Sequence, residues 1–192
     1  MSHSKTVAVL VGSLRRDSVN RKVAKALEAL TPGLRFDFIE IGDLPFFDQD
    51  LEADPPAAWV RFREQIAAAD AVLFVTPEYN RGLPAVLKNA VDVGSRPYGH
   101  SVWNGKPGAI VSTTIGTTGA ILANHQLRSS LVFLNVPTLS QPEAYISNAL
   151  SLFDEAGELV NESTRGFLAG FGQAFQAWID THTAAGAAAK AA

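Results

Sequence analysis

Ser13, Arg15, Ser18 and Asn20 lie where an apolar run, TVAVLV at 6–11, passes into an amphipathic stretch at 18–30. Short hydroxyl and amide side chains at a helix start, beside its unpaired N–H groups, suit an anion. Arg15 and Arg16 add mobile positive charge, and Gly12 lets the chain turn tightly. The stretch GSLRRDSVNR lacks the second glycine and lysine of GxxxxGK[ST], which hold a triphosphate with magnesium, and it is not the GxGxxG of a dinucleotide cradle. A terminal monophosphate remains. The same residues also read as ordinary turn chemistry, with Ser18 capping the helix and the arginines solvated.

Two further loops carry unusual residues. In TPEYNRGLPAVLKNAVD, Pro77, Gly82 and Pro84 restrict the backbone, while Glu78, Tyr79 and Asn80 offer a carboxylate, an aromatic ring and an amide. A planar heterocycle with hydrogen-bonding edges suits such a rigid turn; Tyr79 at a subunit contact with Glu78 exposed is the plainer alternative. In STTIGTTG, 112–119, hydroxyls and backbone N–H groups around Ile115 and Gly116 can meet a ring or a sugar. A glycine-rich helix entry is its ordinary reading.

The elements that must position these loops alternate. Strands are expected at 6–11, 36–41, 71–76, 109–114 and, weakly, 137–140, most of them near-continuous apolar runs of the kind covered on both faces. The second alternates Phe36 and Phe38 with Asp37 and Glu40, which suits a sheet edge. Helices are expected at 18–30, 55–70, 84–94, 119–134 and about 163–181, the last with core aromatics Phe167, Phe171, Phe175 and Trp178. Strand–helix alternation implies an α/β fold with right-handed crossovers: a flavodoxin-like doubly wound five-stranded parallel sheet, order 2-1-3-4-5, with helices on both faces. In that order all three loops leave the carboxyl ends of strands, and the first two flank the point where the winding reverses. A single domain over 1–182 is expected, followed by a frayed Ala-rich tail over 183–192.

Composition narrows the chemistry. The 192 residues are 47% hydrophobic and 18% charged, with a formal net charge of −3, so nothing draws nucleic acid or an anionic membrane to the chain as a whole. With no cysteine, thiolate nucleophiles and cysteine-held metals are excluded, and the four histidines show no metal-ligand spacing, so no metal is expected. No apolar run approaches the ~18 residues that span a bilayer. A soluble, cytoplasmic protein is the expectation.

GSLRRDSVNR and PEYNRGLPAVLKNAVDVGSRP, in this order and separation, resemble the NADPH-dependent FMN reductase family, over about residues 5 to 180. The resemblance implies bound FMN, with Ser13, Arg15, Ser18 and Asn20 at its phosphate and Pro77, Glu78, Tyr79 and Asn80 at its ring. It implies NAD(P)H as co-substrate, ping-pong hydride transfer to quinones or other small oxidants (chromate, azo compounds, free flavin), and no catalytic side chain beyond the flavin. It also implies a homodimer or homotetramer in which the LPFFDQDLE loop, 44–52, reaches a neighbour's site. Gly82, Ala85, Val93, Leu122 and Gln126 depart from residues frequent in relatives, which bears on substrate preference and tetramer contacts. A noncatalytic flavodoxin-like electron carrier is the alternative, although −3 is modest for a docking carrier. A nucleotide-sensing regulator is a third reading.

Overall fold

The computed structural model describes residues 4–183 in full and, beyond them, the backbone of the closing helix to Ala191. The frayed end anticipated over 183–192 therefore falls, from 184 on, outside the fully described residues. Five strands, β1 (Lys5–Val11), β2 (Leu34–Phe38), β3 (Ala71–Thr76), β4 (Gly108–Thr113) and β5 (Ala144–Ile146), alternate with five helices, α1 (Val19–Leu30), α2 (Ala57–Ala68), α3 (Ala85–Gly94), α4 (Ile121–Phe133) and α5 (Glu162–Ala191). The strands form one parallel sheet in the order β2-β1-β3-β4-β5.

The pairing register places Val9 beside Leu73, and Leu73 beside Ala109. Every residue of β3 and β4 is buried, because helices cover both faces of the sheet. On one face Val23 and Leu27 of α1 and Phe171 and Phe175 of α5 pack over Val7, Val9 and Leu73. On the other, Trp59, Phe62, Leu87 and Trp103 pack over Leu10 and Phe74. Trp103 donates its indole N–H to the Val91 carbonyl at 2.9 Å, and it lies so close to α3 that a Cβ on Gly94 would stand 2.6 Å from the ring.

Two strands differ from their expected positions. β2 runs from Leu34 to Phe38 rather than 36–41: its pairing reaches Ile39, whose N–H meets the Val9 carbonyl, and Glu40 then turns the chain by accepting from the Gly42 N–H. Its inward Phe36 and outward Asp37 still fit an edge. The fifth strand is Ala144–Ile146, not 137–140. Thr138 forms only an isolated bridge to Gly108 at the start of β4; the chain then swings out and returns to pair beside Val111–Thr113.

Candidate active site

All three loops gather at the carboxyl ends of β1, β3 and β4 around a cleft of about 220 Å³. The first loop lines it with Ser13, Arg15, Ser18 and Asn20, the second with Pro77, Glu78 and Tyr79, and the third with Ile115. Asn80 and Gly116 do not line it. Asn80 belongs to the tip of the second loop, and Gly116 ties the third loop down by accepting from the Asn148 N–H at 2.7 Å. Val19, Thr113 and Thr114 also face the cleft and were not singled out by their types. The run of hydroxyls at 112–114 was the signal for the two threonines.

Ser18 is the N-cap of α1, its Oγ accepting from the Arg21 N–H at 3.3 Å. The hydroxyl hydrogen remains to be donated elsewhere, so capping and ligand contact are compatible. Gly12 is required for close approach: an added Cβ would stand 3.1 Å from Leu87 Cδ2 and 3.3 Å from Pro77 Cδ. The Gly12 N–H is held by the Val75 carbonyl at 2.8 Å, which pins the first loop against the end of β3.

The second loop is locked at both ends onto α4. Glu78 Oε2 accepts from the Leu122 N–H at 3.0 Å and the Ala123 N–H at 3.2 Å. Ala120, which precedes α4, has a φ of 59° and supplies no side-chain cap, so a carboxylate from another loop takes that place. Farther on, the Leu83 N–H donates to Gln126 Oε1 at 2.6 Å. Between these anchors Tyr79 and Gly82 exchange hydrogen bonds of 3.0 and 2.9 Å around Asn80 and Arg81, with φ of 51° and 65°. Two successive positive φ values make this a type I′ turn.

Two buried polar atoms of this cleft have no partner among the described residues: Asn20 Oδ1 and Thr113 Oγ1. Unmet polar atoms under close packing cost free energy unless a ligand or water completes them. A ligand carrying several hydroxyls and a terminal anion fits this donor set. A second, more apolar cleft of about 430 Å³ adjoins the first, sharing Arg15 and Tyr79 and bounded by Leu14, Pro84 and Val86.

The family model for NADPH-dependent FMN reductases matches residues 6–151, a span that includes all three loops. The chain belongs to this family. It is 56% identical to a quinone reductase of Pseudomonas putida over 186 residues, covering 96% of this chain and all of the relative. It is 48% identical to a 2-hydroxy-1,4-benzoquinone reductase of a Burkholderia species over 174 residues, 90% of this chain and 95% of that one. Among solved structures, the flavoenzyme NAD(P)H:(acceptor) oxidoreductase FerB of Paracoccus denitrificans superposes with a TM-score of 0.88 at 46% identity, covering 93% of this chain and 98% of that one. Membership of the FMN reductase family makes the chain an oxidoreductase that uses FMN with NAD(P)H. A ribityl chain ending in one phosphate matches the hydroxyl-lined, anion-seeking cleft found here.

The loop at 44–52 packs along α3. Arg96 grips Glu52 through two hydrogen bonds of 2.5 and 2.9 Å, and Asn89 Oδ1 accepts from the Phe47 N–H at 2.8 Å. The Arg96 guanidinium holds the Glu52 carboxyl below its ordinary range. Phe46, at the tip, is exposed. Among the described residues no group of histidine or acidic side chains is placed to hold a metal ion, and no helix is long and apolar enough to cross a membrane.

Proposed function

We propose that this chain is an FMN-containing quinone reductase that oxidises NADH or NADPH and passes the reducing equivalents to quinones. The observation that carries the reading is the pair of orphaned atoms, Asn20 Oδ1 and Thr113 Oγ1, buried in a cleft whose entrance holds Arg15 and whose wall holds Tyr79. Asn20 and Thr113 receive ribityl hydroxyls. Ser13, Arg15 and Ser18, with the first amides of α1, hold the phosphate. Pro77, Tyr79 and Ile115 flank the ring, with Asn80 and Gly116 shaping the turns that present them. Glu78, whose carboxylate is given over to α4, orients the loop and exchanges no proton.

Bound FMN supplies hydride acceptance and release. The chain's part is to fix the ring by its tail and to leave one face open. Backbone N–H groups of the second and third loops stand ready for negative charge growing at the ring edge. The adjoining apolar cleft at Leu14, Pro84 and Val86 takes flat partners in turn, so that the dinucleotide, oxidised to NAD(P)+ once its hydride is given up, leaves before the quinone enters, a ping-pong order. Other small oxidants, including chromate, azo compounds and free flavin, can use the same opening.

The protein works as a homodimer or homotetramer in the cytoplasm. Exposed Phe46, Val132 and Phe133, the last 88% exposed, are the apolar surface that supports self-association. Purified protein tests the reading directly: it should be yellow, release FMN on denaturation, and oxidise NADPH on addition of benzoquinone. Flavin reduction without turnover to a quinone would mark an electron carrier. A colourless preparation that refuses saturating FMN would overturn the reading.

A further inference from the structure

We infer that Arg81 is the docking cation for the phosphates of the nicotinamide dinucleotide, an assignment that rests on the reductase reading above. Arg81 occupies the third position of the type I′ turn that opens on Tyr79, a residue that lines both clefts, with φ of 65°. That turn favours Asn followed by Gly, because the left-handed region crowds any Cβ. Asn80 meets the first preference; Arg81 breaks the second. The turn is nonetheless held in place, by the paired Tyr79–Gly82 hydrogen bonds within it, by Glu78 before it reaching the α4 amides, and by Gln126 of α4 accepting from the Leu83 N–H after it. Strain that surrounding structure fixes at the rim of a site points to a side chain retained for function.

The guanidinium is free to serve. Its side chain is 72% exposed, and the ion pair it forms is long, 3.8 Å to Glu78 Oε1, whose other oxygen is committed to α4. Arg16, on the first loop, is exposed, while three other cations are engaged. Lys88 is bound by both oxygens of Asp92 at 2.8 Å, Arg96 is bound by Glu52, and Arg15 lines the cleft that takes the flavin phosphate. A dinucleotide arriving over the open face brings at least two negative charges, and Arg81 is the cation at the rim of the second loop to meet them. A planar five-donor fork suits phosphate oxygens.

FMN-loaded protein, assayed with NADH and with NADPH against benzoquinone, tests this in the Arg81→Gly and Arg81→Lys variants. Arg81→Gly should raise the KM for the dinucleotide about tenfold while turnover at saturation stays within about twofold. It should keep its flavin, and unfold at no lower a temperature, since glycine suits the turn. Arg81→Lys should restore much of the KM, and added salt should raise the KM of the wild type more than that of Arg81→Gly. A rise for both dinucleotides places the contact on the pyrophosphate, and a rise for NADPH alone places it on the 2′-phosphate. Unchanged KM for both, or a fall in saturated turnover with KM unmoved, overturns the assignment and makes Arg81 a strut of the turn. A flavin-loaded wild type that oxidises neither dinucleotide overturns the reductase reading instead.

Discussion

Glu78 and Leu122 stand 44 positions apart in the chain and are joined by a 3.0 Å hydrogen bond, carboxylate oxygen to helix N–H. The contact makes the second loop and α4 one mechanical unit. A residue whose type suggests acid–base work is thereby consumed in fastening a helix end.

Replacing Glu78 by alanine strips the acceptor from two amides of α4 and should destabilise the protein by about 1–3 kcal/mol. Glu78→Gln keeps an accepting oxygen and forfeits only the charge–dipole part, about 0.3–1 kcal/mol. Urea unfolding of the two variants measures the difference. Equal losses would mean that charge, not the hydrogen bonds, holds the helix end.

Asn20→Ala removes an atom that costs the empty protein and serves the loaded one. The variant should be no less stable than wild type without FMN, yet bind FMN more weakly by about 1–2 kcal/mol, as for a single hydrogen bond. Thermal melts with and without added FMN separate the two effects. A melt lowered equally in both states would show that Asn20 is an ordinary packing residue.

Much of this was legible in the residues. The near-continuous apolar runs of β1, β3 and β4 announce strands covered on both faces, and their order gives the sheet. β5 was misplaced because three residues, Ala144–Ile146, carry too little pattern to outweigh PTLS at 137–140, which touches the sheet through one bridge only. The 12–20 loop and the PEYN loop stood out through their residue types. The helix end that Glu78 fastens did not, because its partners are backbone amides 44 and 45 positions away, and an N–H has no signature in sequence. Thr113 escaped for a related reason: a threonine ending a buried strand looks like any other until its oxygen is found unpartnered.

Arg15 and Ser18 together should govern FMN retention. Changing both to alanine should cost about 1.5–3 kcal/mol per charge-assisted hydrogen bond lost, read in a flavin fluorescence titration. Ser18 also caps α1, so its loss lowers stability by about 1 kcal/mol with or without flavin. Ser18→Asp separates the roles: aspartate caps as well as serine, but its charge opposes a phosphate. It should preserve the melt of the empty protein and still lose FMN.

Acid should loosen the 44–52 loop. Glu52 has its carboxyl held low by the hydrogen bonds from Arg96. A depressed folded value stabilises the protein above the ordinary glutamate range, and that contribution disappears as pH falls through the folded value. Arg61 lowers Asp43 in the same direction, so Arg96→Leu should flatten the acid slope in part. Urea midpoints followed from about pH 6 down to about pH 3 read this out. An unchanged slope would show that the Arg96–Glu52 pair forms without contributing.

The unpartnered oxygens of Asn20 and Thr113 reach beyond the reaction. A chain leaving the ribosome before it meets its flavin holds an open polar debt, and binding settles it by mass action. Vitamin supply would then set how many copies survive the cell's proteases, so that riboflavin starvation should deplete the polypeptide itself and not merely its activity.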